Sequence, residues 1–295
     1  HFDIKIENVG AVHASKEVVQ LYVSAPQGEL GKPNRVLAGF GKTDILEPGD
    51  SETLRLSVAL SALASFDDSG VTGHQHAYVL EAGGYQFFLG GSVRQANKID
   101  ADFTLDQLLV IEQLTEAMAP VQAFERLKPG AKTKDGLYEK QYEPVPLRQI
   151  SLAQRIQTEL PTNYEITGDQ GIKLNDVKEG RASLESFVAQ MSREQLATIV
   201  RGEGMCSPKV TPGTASAFGG VSDSLFKLGI PVAAAADGPS GIRMDSGHKA
   251  TQVPIGTLLA CTWNRELNQQ LFHLIGEELH ANQIDTLLGP GINIH

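Results

Sequence analysis

The stretch Ile230-Pro-Val-Ala-Ala-Ala-Ala-Asp-Gly-Pro-Ser-Gly-Ile-Arg243 decides the fold of the second half of this chain. Its apolar run, residues 230–236, stops at Asp237 and is followed by Gly and Pro, which predicts a strand buried on both faces. Ligands bind at the carboxyl ends of such strands in parallel α/β folds. Asp237 offers two acceptor oxygens and Arg243 a rigid fork of donors, which suits a ligand covered in hydroxyl groups. Asp before Gly is also a common turn signal, so the residues alone leave a simple turn cap as an equal alternative.

Three motifs in residues 184–295 resemble, in the same order, those of glycoside hydrolase family 3, the β-glucosidase family. Residues 236–243 are similar to its substrate-site motif, residues 254–264 to its next strand and helix start, and residues 286–295 to the strand after that. The resemblance implies a retaining β-glucosidase that hydrolyses terminal non-reducing β-D-glucosyl residues. It implies that Asp237 and Arg243 bind the substrate sugar, and that no metal or organic cofactor takes part.

Residues 1–95 are predicted to form a β-sandwich, because apolar and polar residues alternate along several short segments separated by Gly, Pro and Asp turns. The segments 17–23, 37–42, 63–67 and 83–85 resemble the fibronectin type III-like domain of the same hydrolase family. His74 and His76 form a His-x-His pair that could bind a metal ion. With no third ligand nearby in the sequence, an exposed loop pair is favoured and no metal site is predicted.

Residues 96–183 are predicted to be a connector that wraps over the other domains, because the stretch is long, charged and punctuated by proline. A helix is expected over residues 147–160, ended by Pro161. Residues 184–295 are predicted to be the first part of a (β/α)8 TIM-type barrel, entered through a helix over residues 183–200. A fibronectin-like domain ahead of the barrel resembles a subgroup of the family with permuted domain order.

The barrel part should contain three neighbouring parallel strands, residues 230–236, 255–261 and 284–288, with a helix over residues 264–280. Asn264 suits the N-cap of that helix. Residues 289–291, Gly-Pro-Gly, should end the third strand at the same end as Asp237. The loop of residues 202–220 could line the site or be a plain surface loop, and the sequence does not choose between the two.

Composition excludes several classes of function. The chain has 295 residues, of which 41% are hydrophobic and 20% charged, and a net charge of −10. Nucleic acid and anionic membranes are therefore not expected as partners, and no apolar run approaches the ~20 residues of a membrane span. Cys206 and Cys261 lack metal-ligand spacing and are interpreted as free thiols, which favours a reducing, cytoplasmic compartment.

The resemblance also indicates what this sequence lacks. A (β/α)8 barrel takes ~250 residues, whereas roughly 110 follow residue 184. The family's nucleophile is an Asp in a Ser-Asp-Trp-like motif, which is absent here because Ser222-Asp223 precedes the first strand. Its acid/base comes from another domain, so no catalytic residue is assigned to this chain. We expect a piece of a longer enzyme whose partners are its own remaining segments and a β-glucoside or oligosaccharide substrate, with self-association left open.

A different class of function remains as the alternative. A non-catalytic carbohydrate-binding or surface-interaction protein could retain the sandwich and a remnant of the barrel. An open reading frame that continues into an Asp-bearing late strand would favour the enzyme, and a stop codon would favour the alternative.

The first prediction concerns residues 1–295 alone. Retaining glycosidases need two carboxyl groups ~5–5.5 Å apart, and neither is assigned within this sequence. We expect a homogeneous preparation of the 295-residue chain to hydrolyse no aryl β-glucoside. Measurable turnover would show that the assignment of the missing groups is wrong.

Overall fold

The computed structural model describes residues 1–160 and 165–291, which belong to two compact units, His1–Leu160 and Pro161–His295. The elements of the first unit are β1 (Phe2–Glu7), β2 (Val18–Ser24), β3 (Val36–Lys42), β4 (Ser51–Leu56), β5 (Ser65–Asp67), β6 (Ala77–Leu80), β7 (Gly83–Gly90), β8 (Asn97–Leu105), β9 (Leu109–Gln113), β10 (Glu125–Lys132), β11 (Tyr138–Pro144) and α1 (Leu152–Thr158). Those of the second are α2 (Leu174–Lys178), α3 (Leu184–Ala189), α4 (Arg193–Arg201), β12 (Ser216–Gly219), α5 (Asp223–Lys227), β13 (Val232–Asp237), α6 (Gly256–Ala260), α7 (Arg265–Ala281) and β14 (Thr286–Leu288).

The first unit is an antiparallel β-sandwich, as the alternating sequence predicts. Its sheets have the strand orders β3-β2-β7-β8 and β5-β6-β9, and β1 pairs with β4. Inward-facing side chains from these sheets form one core. The buried members of that core are Leu21, Val23, Leu56, Leu63, Leu80, Tyr85 and Phe87.

Tyr85 fixes the corner between β6 and β7. Its side chain is fully buried, and its hydroxyl donates a hydrogen bond of 2.9 Å to the backbone carbonyl of Glu81, four residues upstream. A buried tyrosine that binds the backbone just before its own strand is the tyrosine corner of immunoglobulin-like sandwiches. This contact therefore supports the sandwich assignment independently of the strand pattern.

In the structure, the sandwich continues beyond the boundary expected at residue 95. Strand β8 pairs with β7, and β9 pairs with β6, so residues 97–113 complete both sheets. Strand β8 carries Ile99, Phe103 and Leu105 to the core on alternate positions. The charged residues between them give this stretch the composition of a linker, although its period is that of a half-buried strand.

Residues 114–160, which the sequence assigned to the connector, also belong to the first unit. Strands β10 and β11 form an antiparallel hairpin. Arg126 on β10 binds both carboxylate oxygens of Asp68, at 2.5 and 2.9 Å, and that of Glu143 at 2.7 Å. Burial alone would raise the pKa of Glu143, but Lys128 and Arg126 hold it below its ordinary value. The bonds to Glu143 join the two strands of the hairpin, and the charge-assisted bonds from Arg126 to Asp68 attach it to the turn that follows β5.

Asp67 organises that turn. Its buried carboxylate accepts bonds from the backbone of Gly70 and Thr72, at 2.7 and 2.9 Å, and from the hydroxyls of Ser69 and Thr72. Burial alone would raise the pKa of Asp67, but these bonds outweigh it and hold the pKa below its ordinary value. Asp67 is therefore a carboxylate at neutral pH, and the neighbouring Asp68 is presented to Arg126.

The second unit is built around a three-stranded mixed sheet with the order β12-β13-β14. Strand β13 is central, antiparallel to β12 and parallel to β14. Helix α7 and its N-cap Asn264, whose side chain accepts a bond from the Leu267 backbone, match the predicted helix closely. Within the described ranges, no helix has both the length and the apolar character required to cross a membrane.

The three predicted parallel strands are corrected to two. Residues 255–261 do not form a strand, because residues 256–260 form α6. A short apolar run is compatible with either a strand or a helix by its period alone, and here Pro254 precedes a helical turn.

Two predicted helices also differ from the structure. The helix expected over residues 183–200 is divided into α3 and α4. Ser183 caps the first, and Ser192 and Gln195 form a capping box that starts the second. Helix α1 begins only at Leu152, after the N-cap Ser151, rather than at residue 147.

Tyr85→Phe tests the corner. Removing the hydroxyl leaves the buried Glu81 carbonyl without this partner, which should lower the free energy of unfolding by about 1–3 kcal/mol. Urea denaturation followed by circular dichroism measures this loss. Tyr78→Phe, at an exposed tyrosine on β6, is the control and should change the free energy by much less. Equal effects of the two substitutions would contradict the assignment.

The same variant has a predicted pH dependence. Burial and the Glu81 carboxylate raise the pKa of Tyr85 to about 12, whereas unfolded tyrosine titrates near ~10. A raised pKa in the folded state means that the contribution of Tyr85 is complete below pH ~10 and is lost as the pH rises towards 12. The stability difference between the wild type and Tyr85→Phe should therefore shrink over that range. A constant difference would contradict this.

Candidate substrate site

The sheet of the second unit places Asp237 at the carboxyl end of β13. Ala234, Ala235 and Ala236 are buried, and Asp237 follows as the last residue of the strand. Asp237 lies opposite Leu288 in the parallel register of β13 and β14. The carboxyl ends of both parallel strands therefore lie at the same edge of the sheet, where ligands bind in α/β folds.

Residues 238–251 fold back over this edge as a loop attached at several points. The Arg243 backbone N–H donates to the Asp237 carbonyl at 2.7 Å, and Val253 donates to the Ser240 carbonyl at 2.9 Å. The Thr251 N–H donates to the Glu278 carboxylate on α7 at 2.9 Å. Gly241 has φ +105°, and a β-carbon there would collide with the Thr251 carbonyl, so this turn requires glycine.

The two residues that the sequence singles out lie together. A terminal guanidinium nitrogen of Arg243 lies 3.6 Å from a carboxylate oxygen of Asp237. Their side chains are 64% and 46% exposed, so both can reach a ligand from solvent. A carboxylate and a guanidinium in this arrangement present acceptors and donors side by side, which suits the hydroxyl groups of a sugar.

Asp245 is a third charged residue of the site, and sequence reasoning did not single it out. Its carboxylate accepts a 3.0 Å bond from Nε of Arg243. Its backbone N–H donates to the carbonyl of Gly213 at 3.0 Å, so the loop of residues 202–220 lines this region rather than lying apart from it. The signal available in the sequence was the short Arg-x-Asp spacing, which is too common to identify a site.

The end of β14 also approaches the site through its backbone. A β-carbon on Gly289 would lie 2.9 Å from the Gly238 carbonyl, and one on Gly291 would lie 3.1 Å from the Pro239 side chain. The Gly-Pro-Gly segment therefore lies against the turn after Asp237, as the sequence predicts. In the described part of the chain, no cluster of three or more His, Cys, Asp or Glu side chains could hold a metal ion.

Comparison with known proteins defines the class of this chain. Residues 17–93 match the model of the fibronectin type III-like domain, which confirms the resemblance of the predicted sandwich to that domain. A β-glucosidase of Ruminococcus albus is 50% identical over 99% of the chain, and β-glucosidase A of Butyrivibrio fibrisolvens is 35% identical over 99%. The crystal structure of a β-glucosidase from Paenibacillus barengoltzii, 58% identical, covers 99% of the chain with a TM-score of 0.95.

These matches confirm the resemblance to the β-glucosidases, and the chain is homologous to one part of those enzymes. It covers 30% and 36% of the two relatives and 32% of the Paenibacillus barengoltzii chain. The chain thus spans about a third of the length of the relatives that it matches.

Gly213→Ala tests the contact between the two loops. Gly213 has φ +89°, and a β-carbon there would collide with the Ser246 backbone nitrogen and lie 2.9 Å from that of Asp245. Gly247 has a similar φ of +86°, but a β-carbon there would meet nothing within 4 Å. The left-handed backbone destabilises both alanine variants by ~1–2 kcal/mol, and only Gly213→Ala must also displace residues 245–246. We expect it to lower the melting temperature clearly more than Gly247→Ala, and equal shifts would contradict the contact.

Proposed function

We propose that this chain is the segment of a retaining β-glucosidase that carries the fibronectin type III-like domain and part of a sugar-binding (β/α)8 barrel. Identities of 50% and 58% over almost the whole chain to β-glucosidases support this proposal. The adjacent parallel strands β13 and β14, joined through α6 and α7, fit two neighbouring barrel strands. Antiparallel β12 departs from a regular all-parallel barrel.

The observation that carries the proposal is the position of Asp237. It ends a buried central strand, beside Arg243, at the edge where a parallel α/β sheet binds ligands. In the proposed role, its carboxylate accepts hydrogen bonds from two hydroxyl groups of the terminal glucosyl residue. Arg243 supports the carboxylate or reaches the sugar itself.

The chemistry of hydrolysis is proposed to lie outside this chain. A retaining mechanism uses one carboxylate as nucleophile and another carboxyl as acid/base, and the resemblance assigns neither role to these residues. The segment contributes binding energy and orientation, which accelerate hydrolysis when the contacts are stronger in the transition state. The proposed substrate is a β-glucoside or a β-linked oligosaccharide, and the remaining segments of the enzyme are its partners.

The alternative of a non-catalytic carbohydrate-binding protein is not favoured. The relatives that align over 99% of this chain carry β-glucosidase names. A cytoplasmic location remains part of the proposal, and it is supported by Cys206 and Cys261, which are both free thiols.

Asp237→Asn in the full-length protein tests the proposed role. Asparagine keeps the shape but removes the charge, and each hydrogen bond to a charged acceptor is worth ~1.5–3 kcal/mol. A loss on the order of 3 kcal/mol corresponds to a fall in kcat/KM of roughly a hundredfold. The melting temperature should change little, because asparagine is also a good turn residue.

The matched control is Asp223→Asn, at the exposed first residue of α5. Asp223 belongs to the Ser-Asp pair that precedes the first predicted strand, and its replacement should leave kcat/KM within about twofold. Unchanged kinetics in Asp237→Asn would remove Asp237 from the site and favour the turn-cap alternative. A large loss in Asp223→Asn would instead indicate that a catalytic carboxylate had been overlooked.

A further inference from the structure

The Arg243 side chain lies between two carboxylates, and it contacts them unequally. Its Nε donates to Asp245 at 3.0 Å, which is hydrogen-bond distance, whereas a terminal nitrogen lies 3.6 Å from Asp237. The second separation is that of an ion pair without a direct hydrogen bond. In this structure the guanidinium is therefore held by Asp245 and only approaches Asp237.

Within the ion pair that Asp245 forms with Arg243, Asp245 is the better anchored residue. Its side chain is 36% exposed, against 64% for Arg243. Its backbone N–H is bonded to Gly213, and Gly213 packs so closely on residues 245–246 that it has no room for a side chain. A long, exposed arginine carries a large rotamer entropy that such an anchored partner reduces.

Because the guanidinium is planar, the carboxylate that binds its Nε decides where its terminal nitrogens point. Because its donors form a rigid fork, the bond from Nε to Asp245 sets the direction of the terminal nitrogens. Without Asp245, the fork could turn and bind both oxygens of Asp237, as arginine commonly does with a carboxylate. Those oxygens are the acceptors that the proposed function assigns to sugar hydroxyls.

We propose that Asp245 is a positioning residue that holds Arg243 beside Asp237 without letting it occupy the Asp237 carboxylate. This inference rests on the proposed function, since the ligand is the terminal sugar of the β-glucoside. Asp245 acts through Arg243 and does not touch the sugar. Its loss should therefore weaken substrate binding only while Arg243 is present.

A double-mutant cycle in the full-length protein tests this inference. Asp245→Ala should lower kcat/KM about fivefold, mainly through a higher KM, because it breaks one largely exposed ion pair. In an Arg243→Ala background the same substitution should change kcat/KM less than twofold, since no guanidinium remains to be positioned. Equal losses in both backgrounds would overturn the proposal and indicate a purely structural role.

Two further variants keep the test decisive. Asp245→Asn retains an acceptor for Nε without the charge, so its kcat/KM should lie between that of the wild type and that of Asp245→Ala. If Asp245→Ala does not fold, Asp245→Asn takes its place in the double-mutant cycle. Glu277→Gln, which alters the exposed His273–Glu277 pair on α7, is the matched control and should leave KM unchanged.

The outcomes separate the two proposals. An unmodified full-length protein that hydrolyses no β-glucoside would overturn the proposed function, and this inference with it. An active enzyme in which Arg243→Ala has no effect, or in which the cycle is additive, would overturn the positioning role alone.

Discussion

The parallel pairing of β13 with β14 is the constraint on which the candidate site depends. Just before the paired residues of β14, Asp285 is bonded to Ala234 of β13. Its carboxylate accepts a hydrogen bond from the Ala234 N–H, and its own N–H donates to the Ala234 carbonyl. The register then brings Asp237 level with Leu288, so that both strands end at one edge. A slip of one residue would turn the side chain of Asp237 to the other face of the sheet.

The loops at this edge are held by hydrogen bonds and by a small apolar cluster, in which Ile242 is buried with Ala236 and Ile284. Residues 238–251 are bonded to β13, to α7 and to the loop that contains Gly213. Glycines lie where chain segments approach too closely for a β-carbon, at Gly213, Gly238 and Gly241. This construction leaves the charged side chains of Asp237, Arg243 and Asp245 partly exposed while their backbones are fixed. Partly exposed side chains on a fixed backbone are suited to binding a polar ligand.

The first unit is stabilised differently: its sheets bury an apolar core, and an ion pair attaches the hairpin of β10 and β11. Its three sandwich sheets share one apolar core, and Tyr85 fixes one corner of it. The hairpin of β10 and β11 supplies none of the residues that form that core and is attached instead through the ion pair of Arg126 with Asp68. The bonds around Asp67 are made to a charged carboxylate, which gives this turn more stability than neutral partners would. The fibronectin-like domain is thus extended by an electrostatically attached arm.

The sequence by itself determined the elements whose signals are local. Period-two alternation predicts the sandwich strands, the Asn264 cap predicts the start of α7, and the apolar run ending in Asp-Gly-Pro predicts β13 with Asp237 at its end. The resemblance to β-glucosidases rests on the same short motifs. Tertiary structure decided the rest, because those features depend on residues distant in sequence. The period of β8 became informative only once β7 lay beside it, and residues 256–260 became a helix although their composition also fits a strand. The backbone of Asp245 is fixed beside Arg243 by the carbonyl of Gly213, 32 positions earlier, and no local pattern encodes a hydrogen bond between two loops.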